Sequence, residues 1–138
     1  AFAPNPDRGV YRSTDGGATW SAPARVNTPT GRLAFNPAVR VNSSGTVAVT
    51  YYDLRNLAAG NTTTLPTDYW QTTSTNGGAS FGNEVHLAGS FDLKLAPFAE
   101  GYFVGDYEGL DARGTSFLPF FVRTNTTTAN PTDVIAAP

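Results

Sequence analysis

Asp53 and Arg55 stand two residues apart just after an apolar stretch. Asp106, Tyr107 and Glu108 are consecutive in a glycine-flanked segment, Gly105-Asp106-Tyr107-Glu108-Gly109-Leu110. These are residue types that do chemistry. An arginine fork grips a carboxylate at two points, and carboxyls and phenols carry protons or attack. Each set also has a plainer reading. Asp53 and Arg55 can close an ion pair within one loop, and Asp106 can cap a turn. Tyr107 and Glu108, as neighbours on a strand, would point to opposite faces.

Other chemistries are poorly supplied. His86 is the only histidine, and there is no cysteine, so thiol catalysis, disulfides and multi-His or Cys metal sites are excluded. Asp106, Glu108 and Asp111 offer oxygen ligands but lack the spacing of a calcium loop. No cofactor is called for, and a structural calcium ion stays open as an alternative. No Gly-x-Ser-x-Gly elbow is present. Gly16-Gly17 and Gly77-Gly78 lack the Lys-Ser/Thr of a phosphate loop. Charged residues make up 14% of the 138, with a net charge of −2. The basic residues are dispersed, which argues against nucleic acid or an anionic membrane as partner. No run is long enough to span a membrane as a helix.

The elements that must position these residues read as strands. Thr, Asn, Gly, Pro and Ser are plentiful, and the aromatics fall in short strand-like runs, which predicts an all-β chain. Gly9–Arg12 and Ala24–Val26 are the first two strands. Pro37–Val41, Thr46–Tyr52, Asp68–Thr73 and Glu84–Leu87 make a four-stranded antiparallel meander. The run from Val47 to Leu54 is nearly continuous apolar and aromatic, the character of a strand covered on both faces. Three sequons, at Asn42, Asn61 and Asn125, fit the glycosylation pattern.

Two repeats run through this pattern. Ser13-Thr14-Asp15-Gly16-Gly17-Ala18-Thr19-Trp20 returns as Ser74-Thr75-Asn76-Gly77-Gly78-Ala79-Ser80-Phe81. Asp15 can accept from backbone N–H groups two or three residues on, the glycines supply positive φ, and Ser13 and Thr19 can close the turn. Trp20 offers a plate to staple the turn onto its sheet. The second copy keeps these roles in Ser74, Asn76, Gly78, Ser80 and Phe81. In the second repeat, Gly114-Thr115 falls on Gly45-Thr46 and carries Ser116–Phe121 onto Val47–Tyr52 without a gap, with Leu110 on Val41 and Asn125 on Asn56. Repeated four-stranded units are the mark of a β-propeller.

Residues Ser13 to Trp20 resemble the Asp box, Ser-x-Asp-x-Gly-x-Thr-Trp, of the sialidase-like (BNR-repeat) propellers, and Ser74 to Phe81 resemble a degenerate copy. The Tyr51-Tyr52-Asp53-Leu54-Arg55 and Gly105–Leu110 segments are similar to others in that family. The resemblance implies that the box lies between the third and fourth strands of a blade and is structural, through Ser13, Asp15, Gly17, Thr19 and Trp20. It implies a secreted protein that acts on or binds glycans. An exo-glycosidase of this kind has an arginine cluster, a Tyr–Glu nucleophile pair from different blades and an Asp acid/base. Asp53, Arg55, Asp106, Tyr107 and Glu108 are the candidates in the channel, with Arg40 and Arg113 nearby in the repeat, though none matches the family's catalytic motif residue by residue. The alternative is a non-catalytic propeller that binds carbohydrate or protein, or scaffolds an extracellular assembly.

On this reading, residues 1–27 end one blade, 33–91 form a complete blade, and 95–138 begin the next. About two and a half blades fall short of the 4–8 of a closed ring. The expectation is a piece of a six-bladed ring, partnered by the rest of its own propeller or by identical copies.

Overall fold

The computed structural model describes residues 9–137; the first eight residues of the 1–27 segment, and Pro138, lie outside the described residues. The chain is all-β, and the only helical piece among the described residues is a 3₁₀ turn, Leu93–Leu95. Strands β1 (Gly9–Val10) and β2 (Ala24–Arg25) pair antiparallel. Strands β3 (Ala34–Val41), β4 (Val47–Asp53), β5 (Pro66–Ser74) and β6 (Gly82–Asp92) form an antiparallel meander in that order. Strands β7 (Gly109–Arg113), β8 (Ser116–Thr124) and β9 (Thr132–Ala136) form a third antiparallel sheet, also in chain order.

The continuous apolar run becomes β4, and both its faces are covered. Tyr52 packs with Tyr69, Phe121, Leu93, Ala96 and Val104 on the side of the third sheet. Val49 and Tyr51 pack with Ala34, Trp70, Phe81, Val10 and Val26 on the side of the first. The Tyr69 and Phe121 rings stack at 4.2 Å across the seam between the second and third sheets. Each such ring contributes about 1.5–3 kcal/mol by leaving water. The described residues form no closed barrel.

Two strands run well beyond their sequence reading. β3 starts at Ala34 rather than Pro37, because a bulge between Phe35 and Ala38, with Asn36 at φ 46°, carries the chain past Pro37. β6 runs from Gly82 to Asp92, where the sequence reading ended at Leu87. Ladder irregularities absorb Ala88-Gly89-Ser90, which read as a strand end. Gly45 and Gly114, matched by the second repeat, both turn at positive φ, 78° and 59°. Their two hairpins touch: Ser43 N–H donates to Gly114 O at 3.0 Å, and Asn42 Nδ2 donates to Thr115 O at 2.6 Å. That bond, with Asn42 Oδ1 accepting from Ser44 N, Ser44 Oγ and Thr46 N, leaves the buried Asn42 amide committed and closed to glycosylation.

Candidate functional site

The two glycine turns bond alike, almost atom for atom. Ser13 Oγ donates to Asp15 Oδ1 and accepts from Gly17 N at 2.7 Å; Ser74 Oγ donates to Asn76 Oδ1 and accepts from Gly78 N at 2.9 Å. Thr19 N donates to Asp15 Oδ1 at 2.9 Å, and Ser80 N to Asn76 Oδ1 at 3.0 Å. The expected acceptance from N–H groups two or three residues on is corrected to four. The paired positive-φ glycines lengthen the turn, and the Ser13 hydroxyl takes the nearer donors. In the first copy the Thr19 hydroxyl donates to the carboxylate; in the second the Asn76 amide donates to the Ser80 hydroxyl. A hydroxyl can play either part. The second turn therefore closes without a carboxylate.

The Trp20 staple is also corrected. Its ring lies over Gly17 in its own turn and is 62% exposed, whereas Phe81 covers Gly78 and reaches the Tyr51 cluster, which Val10 and Val26 help to close. The Thr19 and Ser13 hydrogen bonds hold the Asp15 pKa at about 2. Asp15→Asn should unfold within about a degree of the parent, since Asn76 already shows the amide works. Asp15→Ala should lower the Tm by a few degrees in thermal circular dichroism, because its donors lose their acceptor.

Asp53 and Arg55 are joined to residues the sequence did not connect with them. Arg55 meets the buried Asp53 at 2.7 Å and Glu84 at 2.8 Å, and its guanidinium lies 3.6 Å over the Trp70 ring. Glu84 also accepts from the Tyr51 hydroxyl and, at 2.8 Å, from Thr28 Oγ1. Burial opposes the Arg55 charge, but its hydrogen bonds to Glu84 and Asp53 outweigh that and raise its pKa. Burial likewise pushes Glu84 up, yet Arg55, Tyr51 and Thr28 hold it at about 2. The guanidinium fork is spent within the chain.

The sequence reading missed Asp68. This buried carboxylate stands 2.9 Å from His86 Nε2 and accepts from Ser90 Oγ and Asn56 Nδ2, so His86 has a partner on the neighbouring strand. The available signal was the one charged residue of an otherwise uncharged strand, beside the strand carrying the one histidine.

The Gly105–Leu110 segment splits. Asp106 and Tyr107 are exposed, Tyr107 at 92%, and Asp106 makes no hydrogen bond among the described residues, so it does not cap a turn. Glu108 turns inward to the Tyr52 hydroxyl, 2.9 Å from its Oε1. Tyr107 and Glu108 do diverge, but from the coil before β7 rather than along a strand. Asp111 pairs with Arg40 at 3.4 Å on the surface. Asp106, Glu108 and Asp111 are thus directed apart. No group of three His, Asp or Glu side chains that could hold a metal occurs among the described residues.

Burial raises the Glu108 pKa to about 7, against the opposing hydrogen bond from Tyr52. The signs of two shifts set the pH profile. Glu84, depressed to about 2, contributes stability above its ordinary value of 4.5 and loses it as pH falls toward 2. Glu108 contributes fully below 4.5 and loses its contribution as pH rises through about 7. Thermal unfolding from pH 2 to 8 should peak near pH 4.5–5. A profile that climbs steadily to pH 8 would count against the inward Glu108.

Compared with family models, curated proteins and solved structures, the chain matches none of them.

Proposed function

We propose that the three sheets are successive parts of a sialidase-like, Asp-box β-propeller that binds glycans outside the cell. The observation that carries the propeller is the spacing of contacts across the seam between the second and third sheets. Asn36 to Gly105, Arg40 to Asp111, Asn42 to Thr115 and Tyr52 to Val122 join residues 69, 71, 73 and 70 apart. These lie at or within four residues of the second repeat's length, the 69 from Gly45 to Gly114, so corresponding strands stand beside each other. The second glycine turn, between β5 and β6, lies where the resemblance puts an Asp box. Val134, 76% exposed on β9, offers apolar surface to a following sheet.

Glycan binding draws support from the end of the sheets opposite those turns. There the 96–108 connector holds Phe98 and Tyr107 open to solvent at 72% and 92%, beside the unpaired Asp106. Exposed rings give a sugar an apolar face, and an unpaired carboxylate accepts from hydroxyls. Hydrolysis has one observation in its favour, a Tyr–Glu contact between sheets at Tyr52 and Glu108. Tyr52 is wholly buried and held by the Val122 backbone, which is the setting of a core residue rather than a nucleophile. The full-length protein should retain ligands on a glycan array and leave a fluorogenic sialoside intact. Turnover of the sialoside would restore the enzyme reading, and an array with no retained glycan would sink both.

A further inference from the structure

We propose that the cleft between the first and second sheets, beside the second glycine turn, binds one neutral sugar ring. The cleft has a volume of about 290 Å³ and is lined by β2 and the residues after it on one side, and by the start of β6 on the other. It lies at the turn end of the sheets, away from the exposed rings of the 96–108 connector, and the inference does not depend on them.

Part of the lining is apolar, from the half-buried Phe81 and Val26. The rest carries hydrogen-bonding groups that the fold does not use. Asn27 is 7% exposed, and its Nδ2 donates to Pro29 O at 3.3 Å, while its Oδ1 accepts nothing among the described residues. The sealed side-chain atoms without a partner are Thr50 Oγ1, Tyr69 OH and Trp70 Nε1. Asn27 Oδ1 is not one of them, so it keeps access to solvent, and the cleft is the opening its residue lines. Asn83 brings a whole amide with no hydrogen bond at either end among the described residues. Arg25 donates from Nε to Asn27 O at 2.7 Å and from Nη2 to Pro29 O at 2.5 Å. Those bonds fix the guanidinium and leave Nη1 without a partner.

These groups select a ligand class. Asn27 offers an acceptor, Arg25 a donor and Asn83 both. A hydroxyl donates and accepts, so a ring bearing several hydroxyls suits all three. The C–H face of such a ring gains by covering Phe81 and Val26. Charge favours a neutral ligand, because the two charged side chains of the lining, Arg25 and Glu84, are opposite in sign. Glu84 is also already satisfied by Arg55, Tyr51 and Thr28. The volume stands at the small end of ligand sites, which suits one ring rather than a chain.

Proton–nitrogen spectra of the whole protein, titrated separately with the methyl glycosides of glucose, galactose, mannose and N-acetylneuraminic acid, test this. At least one neutral glycoside should shift the Asn27 and Asn83 side-chain amides and the backbone of residues 81–84. Its dissociation constant should be of about millimolar order, as a single ring gives. Asn83→Gly removes the amide yet suits the φ of 53° at that position, so the fold is kept. It should weaken binding about tenfold, the share of one or two hydrogen bonds. Tyr107→Ala, on the connector, should leave the affinity unchanged. No shift at these residues with any neutral glycoside, or equal affinity in Asn83→Gly, would overturn the site. Shifts there with the acidic glycoside alone would overturn the neutral class. Shifts confined to residues 98–107 would support the connector as the sugar site and count against this cleft.

Discussion

Replacing Arg55 by methionine should destabilise the protein by about 3–5 kcal/mol, the cost of removing one partner from a buried ion cluster. For a chain of this size that lowers the Tm by about 10 °C or more. The reason lies in what remains. Asp53 is fully buried, and the Glu84 side chain is 13% exposed, so both charges would lose their counter-ion where water cannot replace it. Methionine fills the space over Trp70 but brings no donors. Arg55→Lys should recover only part of the loss. It restores a charge but not the planar fork that reaches Asp53 and Glu84 while lying on the indole. Urea unfolding measures both. If Arg55→Met loses less than about 1 kcal/mol, the cluster is a surface ornament of the kind that contributes little.

Gly89→Ala should be as damaging, for a steric reason. Gly89 has φ 139°, and a methyl group built there would lie 2.8 Å from Asp68 Cα and closer still to its Oδ1. Neither can retreat, because Asp68 is buried and held by His86, Ser90 and Asn56. Backbone strain and overpacking together should cost about 2–5 kcal/mol. Gly45→Ala is the fitting control. Its φ of 78° is also unfavourable, but nothing lies within 4 Å of the added carbon, so only the backbone term of about 1–2 kcal/mol applies. Equal losses at the two sites would mean that the approach to Asp68 is unimportant.

These two sites also mark how far the sequence could be read. The all-β class and the order of the strands were legible, because apolar runs, glycine turns and spacing are local signals. β4 showed its two-sided burial in a nearly continuous apolar and aromatic stretch. The ends of β6 were not legible: Ala88-Gly89-Ser90 looks like a terminator and is instead where the strand bends around Asp68. The glycine turns were recognisable as a pair, yet the donor to Asp15 was misplaced because turn length depends on two φ angles. The candidate residues were found only one partner at a time. Asp53–Arg55 was visible as a pair, but Glu84 lies 29 residues from Arg55 and joins it through strand pairing. Glu108 was singled out beside Tyr107, while its partner, Tyr52, sits 56 residues away on another sheet. Register and sheet packing create such contacts, and neither is written in a local window.

The central claim is that corresponding hairpins of successive sheets lie side by side, and the absence of cysteine from the chain allows it to be tested directly. Cysteines placed at Ser43 and Thr115, in the hairpins joined by the Ser43–Gly114 and Asn42–Thr115 hydrogen bonds, can be treated with a short bismaleimide in dilute solution. Adjacent hairpins require a near-complete link within one chain, seen by mass spectrometry as a joined peptide pair. Thiols that stay singly modified, or link only between chains, would separate the two sheets and contradict the arrangement from which the propeller was inferred.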